Sequence, residues 1–352
     1  DILLTYIYPR TAEVDYRVTS VQEGCEMKTV KLGSTGPEVS RLGLGTMGMS
    51  EFYGPRDDVR SIETIHRAMD AGMNFFDTAD MYGPFHNEEL VGAAIKGHRD
   101  RVVIATKFGI VRGPKGEFGG VNNRPEYIRQ SVEGSLRRLD IDTIDLYYMH
   151  RRVSDVPVEE SVGAMADLVE EGKVRYLGLS EVSPATLKKA NDVHPIAAVQ
   201  SEYSLWSTDI EAEVIPALKR TGASLVAYSP LGRGFLAGAY RREEDIPEGD
   251  WRRTNPRFQG ESFTRNMAIV EAVRKIADGR SATPGQIALA WLLAKGEDVV
   301  PIFGTTRPDH LLESIRAVDI QLSVEDIEIL DGLTTLVAGP RYLEEGMSRL
   351  FG

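Results

Sequence analysis

Eight short apolar runs alternate with longer stretches of helical periodicity, and this alternation constrains the fold more than any other feature of the sequence. Neighbouring parallel strands need a crossover of about a dozen residues or more, so strands that alternate with helices predict a parallel sheet. The runs predicted as strands are Leu42–Thr46, Asn74–Asp77, Val102–Lys107, Ile144–His150, Val174–Ser180, Ala197–Ser201, Ser224–Ser229 and Asp298–Ile302.

Helices are predicted between these strands and after the last one. They cover Val59–Ala71, Glu88–Lys96, Pro125–Leu139, Glu159–Glu171, Pro184–Asn191, Ile210–Arg220, Pro284–Lys295 and Pro308–Val318. Four of them begin at a proline, where the missing N–H costs nothing. Eight strand–helix units fit an α/β fold of the (β/α)8 TIM barrel type better than an open sheet, because about 250 residues plus insertions is the usual barrel size.

Segments outside this alternation complete the predicted organisation. Residues 1–26 show no clear period and are interpreted as an N-terminal extension, non-native or disordered, so that Met27 would be the natural start. The barrel domain then covers 27–352, opening with a β-hairpin over Lys28–Ser40. Two long segments, Phe108–Arg124 and Leu231–Phe263, are predicted to be loops that frame the active site.

Composition narrows the class of partner. The formal net charge is −12, which argues against nucleic acid or an anionic membrane as the main partner and favours a small molecule. Cys25 is the single cysteine, so an intrachain disulfide or a thiolate metal cluster cannot form. With no apolar run near the ~20 residues of a membrane helix, the chain is expected to be cytoplasmic.

A glycine motif at the first strand invites a nucleotide-binding interpretation that its context contradicts. Gly43-Leu44-Gly45-Thr46-Met47-Gly48 matches G-x-G-x-x-G, but helical periodicity starts only near Val59. The dinucleotide fingerprint requires a helix that opens at the motif. We interpret Gly45, Thr46 and Met47 instead as a flexible strand end that a substrate or cofactor approaches closely.

Polar side chains stand at the ends of three successive strands. Asp77 ends the second strand with Tyr82 five positions later, Lys107 ends the third, and His150 ends the fourth. Singly, each has an ordinary structural explanation, as a helix cap, a core aromatic, a rim lysine or a satisfied core histidine. Because active sites of β/α barrels lie at the C-terminal ends of the strands, their joint placement predicts a catalytic group.

These residue types suit the reduction of a carbonyl, which needs a hydride at carbon and a proton at oxygen. A free tyrosine with a pKa near ~10 is a poor acid at neutral pH. We expect the Lys107 ammonium to lower the pKa of Tyr82 and Asp77 to keep the buried ammonium charged. His150 can donate a hydrogen bond to the carbonyl oxygen as negative charge develops there.

The sequence resembles the aldo-keto reductase superfamily from about Met27 to Tyr342. The resemblance is carried by D-T-x-x-x-Y-G from Asp77 to Gly83, by Ala105-Thr106-Lys107, by Leu146–His150 and by Gly172–Ser180. The segment Ala227–Gly234 is most similar to the branch of bacterial, fungal and plant reductases. Membership implies reduction of an aldehyde or ketone by NADPH, with Tyr82 as proton donor, Lys107 and Asp77 tuning it, and His150 orienting the substrate.

The resemblance also implies the cofactor contacts. Ser180 and Gln200 would bind the nicotinamide carboxamide, Tyr228 would stack on the ring, and Arg307 would bind the 2′-phosphate, which favours NADPH over NADH. Asp77 is also predicted to contact the cofactor. The remaining predicted contacts are Ser229, Pro230, Leu231, Gly232 and Arg233 over the pyrophosphate, Gly304 and Thr305 in the phosphate-binding segment before the last helix, and Ser314 at the adenine. Two positions depart from the family pattern, since Glu181 and Ser314 both stand where asparagine is common.

Some alternatives stay open at this stage. The histidines His66, His86, His98, His194 and His310 show no zinc-binding spacing, so no metal is predicted, although His310 lies near the phosphate segment. Phe52, Tyr53 and Trp206 could either wall a substrate pocket or pack in the core. Two rival functions are a regulatory subunit that binds nicotinamide, like the potassium-channel β subunits of this superfamily, and a sugar or polyol dehydrogenase.

Overall fold

A closed barrel of eight parallel strands forms the centre of the protein. The computed structural model describes residues 27–113, 116–347 and 350; the predicted extension over residues 1–26 lies outside them. The barrel strands, in their order around the barrel, are β3 (Gly43–Gly45), β4 (Phe75–Asp77), β5 (Val103–Phe108), β8 (Ile144–Met149), β9 (Val174–Ser180), β10 (Ile196–Glu202), β11 (Ser224–Tyr228) and β12 (Val299–Gly304), and β12 pairs with β3 to close the ring. The predicted (β/α)8 barrel is confirmed.

Helices surround the barrel, at least one after each strand. They are α1 (Asp58–Asp70), α2 (His86–Ile95), α3 (Pro125–Leu139), α4 (Val158–Glu170), α5 (Pro184–Val193), α6 (Val214–Thr221), α7 (Gly260–Gly279), α8 (Pro284–Ala294), α9 (Pro308–Ile315), α10 (Val324–Gly332) and α11 (Glu344–Met347). Prolines begin α3, α5, α8 and α9, as predicted. No helix in the described part of the chain is long and apolar enough to cross a membrane.

Both long segments differ from simple loops. Phe108–Arg124 contains a small antiparallel hairpin, β6 (Ile110–Arg112) with β7 (Phe118–Val121). Leu231–Phe263 ends in the first turn of α7, a helix of 20 residues that the sequence analysis did not predict. The polar start of α7 weakened its periodicity, because its apolar positions only become regular beyond Phe263.

The N-terminal hairpin closes one end of the barrel. β1 (Thr29–Lys31) pairs antiparallel with β2 (Glu38–Ser40), which confirms the predicted hairpin. Leu32 and Val39 join the apolar cluster of the barrel interior, and the N–H of Gly33 donates to Ser224 Oγ at 2.7 Å, at the start of β11. Because the hairpin covers the barrel end at which the strands begin, a binding site has room only at the end where the strands finish.

Close packing fills the barrel interior. Gly178 on β9 faces the ring of Tyr148 on β8, and a Cβ added at Gly178 would lie 2.4 Å from that ring. The two residues are also partners in the strand register. The glycine therefore makes room for a large aromatic side chain, and the barrel centre is a packed core with no channel at this level.

Candidate active site

A buried lysine joins the acid and the tyrosine that follow β4. Lys107 Nζ donates to Asp77 Oδ1 at 2.5 Å, to the carbonyl oxygen of Thr78 at 2.7 Å and to Tyr82 Oη at 3.3 Å. Lys107 is 0% and Asp77 3% exposed. All three donor directions of the ammonium are thus used, and the predicted contact among these three side chains is present.

Strand register explains why these residues meet. β4 and β5 are parallel neighbours in which Asp77 lies opposite Ala105, so Lys107 extends past the end of β4. The turn after β4 then folds back over the rim, because the N–H of Asp80 donates to the carbonyl oxygen of Lys107 at 3.1 Å and that of Tyr82 to Ala79 at 3.2 Å. This turn delivers the Tyr82 hydroxyl to the lysine.

Charge at the site is set by burial and by the ion pair. Burial alone would lower the pKa of Lys107, but the carboxylate of Asp77 and the oxygen of Tyr82 raise it above its ordinary value, so the side chain stays an ammonium. Burial raises the pKa of Tyr82 above 10.0, and Lys107 opposes that rise without reversing it. The expected lowering by Lys107 is thus present, but burial outweighs it, because the sequence shows the neighbouring charge and not the loss of water.

His150 completes the group as a neutral imidazole. Its ring stands edge-on to Tyr82, with the ring centroids 5.9 Å apart. Burial, followed by the positive charges of Arg151 and Lys107, holds the pKa of His150 well below 6.5. Nδ1 is buried without a hydrogen-bond partner among the described residues. A neutral His150 can donate one hydrogen bond to a substrate oxygen without adding a charge.

The residues predicted to hold a nicotinamide ring lie on the next strand ends. Gln200 Nε2 donates to Asp77 Oδ2 at 2.7 Å, which connects β10 to the ion pair of Asp77 and Lys107. Ser180 Oγ accepts from Arg151 Nη1 at 3.0 Å. Tyr228, at the end of β11, donates its hydroxyl to Glu181 Oε1 at 2.9 Å and keeps part of its side chain accessible. The structure brings these predicted residues together around one rim.

Glycines meet where the barrel closes. Gly304 at the end of β12 pairs with Gly45 at the end of β3, and Gly304 is exposed. Thr46 beside them is fully buried and its hydroxyl donates to the carbonyl oxygen of Asp77 at 2.8 Å. Met47 begins a short turn, and α1 starts only at Asp58. The Gly45–Met47 segment is therefore a strand end that leads into a short 3-10 helix and not directly into an α-helix. Thr46 offers a ligand no free hydroxyl.

The predicted phosphate segment precedes α9. Arg307 is the residue before the helix, and its backbone N–H donates to Thr305 Oγ1 at 3.1 Å. Its exposed guanidinium binds both oxygens of Asp309, at 3.1 and 2.6 Å. Ser314 is half-buried in the last turn of α9, and His310 is exposed on the same helix. A 2′-phosphate at Arg307 would share this arginine with a carboxylate.

Unusual backbone angles mark the segment after β11. Ser229 has a φ of 51° and Arg233 a φ of 58°, both in the left-handed region that costs side-chain-bearing residues free energy. The Arg233 guanidinium donates to Glu202 Oε2 at 2.9 Å and to Tyr342 Oη at 3.0 Å, while Nη1 is buried without a partner in the described chain. Pro230, Leu231 and Gly232 link these two residues. One donor of Arg233 thus remains for a ligand.

Sequence reasoning missed a network of buried charges behind this segment. Glu202 is 0% exposed, and although burial would raise its pKa, Arg233, Arg341 and Arg257 hold that pKa below its usual value. Burial lowers the pKa of Arg257 to about 10; the charge of Glu202 opposes this shift, and those of Arg233 and Arg341 add to it. Glu202 lies two positions after Gln200 and so on the same face of β10. This spacing was the one sequence feature that could have pointed to Glu202 as a residue near the site. Nothing in the sequence indicated its arginine partners.

The three aromatic residues that could line a substrate pocket, Phe52, Tyr53 and Trp206, have different environments in the structure. Trp206 is 1% exposed and packs on Phe235 and Phe258, at centroid distances of 5.1 and 5.8 Å, so it is a core residue. Phe52 and Tyr53 are partly exposed, and Arg252 lies 4.8 Å from the Tyr53 ring centroid. Of the described residues, none form a group of three histidines, cysteines or acids able to hold a metal ion.

The group of Asp77, Tyr82, Lys107 and His150 lies at the C-terminal ends of parallel strands, where enzymes built on β/α barrels have their active sites. Residues 41–335 match the Aldo/keto reductase family. A probable aldo-keto reductase of Glycine max is 47% identical over 323 residues, which cover 90% of this chain and 92% of that protein. The chain therefore belongs to the aldo/keto reductase family.

Solved structures are similar over almost the whole chain. A glycerol dehydrogenase from Gluconobacter oxydans has a TM-score of 0.81 and 32% identity, covering 89% of this chain and 97% of its own. The holo form of an aldo-keto reductase from Bacillus halodurans has a TM-score of 0.71 and 28% identity, covering 91% and 99%. The similarity therefore extends over the full barrel.

Proposed function

We propose that the protein reduces an aldehyde or ketone to an alcohol with NADPH, taking the proton from Tyr82. The observation that supports this most directly is the Lys107 ammonium, which contacts Asp77 at 2.5 Å and the Tyr82 hydroxyl at 3.3 Å inside a water-poor site. A bound NADPH would supply the hydride. Its partner is a small carbonyl compound, and the single cysteine favours the reducing environment of the cytoplasm.

Tyr82 serves as the acid because it holds its proton until it is needed. Its raised pKa keeps the hydroxyl protonated at neutral pH. As negative charge grows on the substrate oxygen, the proton passes from Tyr82 Oη to that oxygen, and Lys107 stabilises the phenolate that is left. Asp77 keeps the ammonium in position and compensates its charge.

His150 orients the carbonyl. Because its pKa is held well below 6.5, the imidazole is neutral and donates one hydrogen bond to the carbonyl oxygen. With Tyr82 edge-on to the same ring, the Tyr82 hydroxyl and the His150 ring would both donate to that oxygen. A second cation would compete for the Tyr82 oxygen, so a neutral histidine suits this position better than a charged one.

The rim fits a nicotinamide dinucleotide. Tyr228 presents an accessible aromatic side chain for stacking, Arg233 Nη1 is a buried donor without a partner in the described chain, and Gly45 with Gly304 lets a ligand approach the backbone. Ser180 and Gln200 would hold the carboxamide, and Arg307 with Thr305 and Ser314 the adenosine end. The Bacillus halodurans relative, solved in its holo form, supports a bound cofactor.

A polyol dehydrogenase is the second candidate. The similarity to a glycerol dehydrogenase at 32% identity favours it, and the same residues serve either direction because Tyr82 as phenolate accepts the proton that it donates in reduction. Arg307 favours the phosphorylated cofactor and hence reduction, although its pairing with Asp309 weakens that preference. A rate comparison in both directions distinguishes the two.

The experiment is a panel of aldehydes and ketones with NADPH and NADH, and of polyols with NADP+ and NAD+, repeated on Tyr82→Phe. We expect the variant to keep its cofactor affinity and to lose about 100- to 10,000-fold in kcat, the usual share of a general acid. Tyr127→Phe on α3 is the matched control for a lost hydroxyl and should keep its rate. Undiminished turnover of Tyr82→Phe would remove Tyr82 as proton donor, whereas tight NADPH binding without any turnover would favour the regulatory-subunit alternative.

A further inference from the structure

Arg112 is the last residue of β6, and its side chain contacts three separate segments of the chain. Its Nε donates to the carbonyl oxygen of Gly116 at 2.7 Å, within the β6–β7 hairpin. Nη1 and Nη2 donate to the two carboxylate oxygens of Glu51, each at 3.1 Å, and Nη1 also donates to the carbonyl oxygen of Met81 at 3.3 Å. Arg112 therefore connects the hairpin to the loop after β3 and to the turn after β4.

The ion pair with Glu51 holds the guanidinium in one orientation. The side chain of Arg112 is 12% exposed and that of Glu51 17%, so the pair is shielded from much of the water that weakens ion pairs on a surface. Two parallel hydrogen bonds from a planar fork to one carboxylate also fix the direction of the fork. Nη1 carries two hydrogens, and with one of them on Glu51 the other is available for the carbonyl oxygen of Met81.

The carbonyl of Met81 belongs to the peptide group that leads into Tyr82. The N–H of the same peptide group, that of Tyr82, donates to the carbonyl oxygen of Ala79 at 3.2 Å. No backbone N–H of the described chain donates to the carbonyl oxygen of Met81, which accepts from Arg112 instead. The peptide group is thus held on both sides, and because it is planar, its orientation sets the direction in which the Tyr82 side chain leaves the backbone.

The turn of the hairpin also packs beside Tyr82. A Cβ added at Gly116 would lie 3.4 Å from Cγ of Pro84, so the hairpin contacts the turn after β4 on both sides of the tyrosine, at Met81 and at Pro84. The next residue, Phe85, has a φ of 69°. A left-handed φ costs a phenylalanine free energy and persists only where the surrounding structure holds it. The conformation of this turn therefore depends on contacts from outside it.

We propose that Arg112 is a positioning residue for the proton donor: through the carbonyl of Met81 it holds the peptide group that orients Tyr82, and Glu51 holds Arg112. This inference rests on the proposed role of Tyr82 and extends it to two residues of the rim. The Tyr82 hydroxyl must contact Lys107 Nζ, at 3.3 Å, and a substrate oxygen at the same time. A displacement of about 1 Å at a reacting group can cost about 100-fold in rate.

The test measures NADPH-dependent reduction by wild type, Arg112→Met and Arg112→Lys, with an aldehyde that the wild-type protein reduces. We expect Arg112→Met to lower kcat about 10- to 100-fold. The dissociation constant of NADPH should not change, because none of the three residues that Arg112 binds is a proposed cofactor contact. Arg112→Lys keeps the charge but not the planar fork, so its kcat should lie between those of Arg112→Met and wild type.

The solvent deuterium isotope effect on kcat separates positioning from general damage. A displaced Tyr82 slows the proton transfer, so the isotope effect should be larger in Arg112→Met than in wild type. In a partly unfolded preparation fewer molecules are active, but those that remain keep the wild-type isotope effect. A lower kcat of Arg112→Met with a wild-type isotope effect would therefore contradict the positioning role.

Two further variants serve as a second test and as a control. Glu51→Gln leaves the hairpin sequence intact and weakens the hold on Arg112, so it should change kcat and the isotope effect in the same direction by a smaller amount. Arg129→Met removes an exposed arginine of α3 that pairs with Asp167 and Glu171. This control should react like wild type.

The outcomes distinguish the positioning role from the proposed function. If Tyr82→Phe loses most of its rate while Arg112→Met and Glu51→Gln keep the wild-type kcat, the assignment of Arg112 is wrong and the proposed function stands. If Tyr82→Phe keeps its rate, Tyr82 is not the proton donor and both fail together.

Discussion

Replacing Lys107 by methionine removes a charge from the centre of the site while keeping most of the side-chain volume. In the native protein Asp77 is 3% exposed and bonds to Lys107 at 2.5 Å and to Gln200 at 2.7 Å. Lys107→Met leaves the carboxylate with Gln200 as its remaining side-chain partner. The substitution therefore measures how much free energy of unfolding the protein loses when a buried carboxylate keeps only one side-chain partner.

Breaking a buried ion pair by removing one partner typically costs ~3–5 kcal/mol, because the remaining charge stays desolvated. We expect a loss near the lower end, about 3 kcal/mol at pH 8, since Gln200 still donates to Asp77. Burial raises the pKa of Asp77 and Lys107 opposes that rise, so the variant has a still higher Asp77 pKa. The folded variant then binds a proton that the unfolded chain releases, and its stability deficit must shrink as the pH falls from 8 to 5.

Urea unfolding followed by tryptophan fluorescence measures the loss of stability at pH 8 and its change at pH 5. The double variant Lys107→Met with Asp77→Asn removes both charges, and we expect it to recover most of the stability but none of the activity. A deficit below about 1 kcal/mol at pH 8, or one that grows toward pH 5, would refute the buried ion pair as the source of the effect.

Three further predictions follow from individual contacts. Gly178→Ala should cost about 1–3 kcal/mol in thermal unfolding, because its Cβ would lie 2.4 Å from a tyrosine ring; Gly163→Ala, where a Cβ meets nothing within 4 Å on α4, should be neutral or stabilising. Asp309→Asn should raise the ratio of NADPH to NADH affinity by releasing Arg307; an unchanged ratio would mean that Arg307 does not read the 2′-phosphate. Below pH 6.5 the free energy of unfolding should decrease as the pH is lowered, because the unfolded chain protonates a histidine that stays neutral when buried. His150→Gln should flatten this pH dependence; if the dependence persists in the variant, it comes from groups other than His150.

Periodic features were readable from the sequence because they repeat. Alternation of strands and helices gave the barrel, and parallel strands place their C-terminal ends together, which brought Asp77 and Lys107 to one rim without any knowledge of their distance. The polar entry into α7 broke the helical period, so that helix was missed.

Long-range partners were out of reach for a different reason. Glu202 meets Arg233 and Arg257 across loops that have no repeating pattern, and Arg341 reaches Glu181 from the last part of the described chain. The charge of Lys107 was visible beside Tyr82, but burial of the hydroxyl, which sets the net direction of its pKa, is a property of the assembled barrel.

Closure of the barrel has a consequence for how the protein acquires its ligand. Gly45 and Gly304, which pair across the seam between β3 and β12, come from near opposite ends of the described chain, so their contact is among the most non-local in the fold and carries a large loop-closure entropy. During synthesis the proposed catalytic residues up to His150 emerge long before β12 exists. The proposed dinucleotide site at the seam would therefore be incomplete until the last strand has been added and the ring is closed.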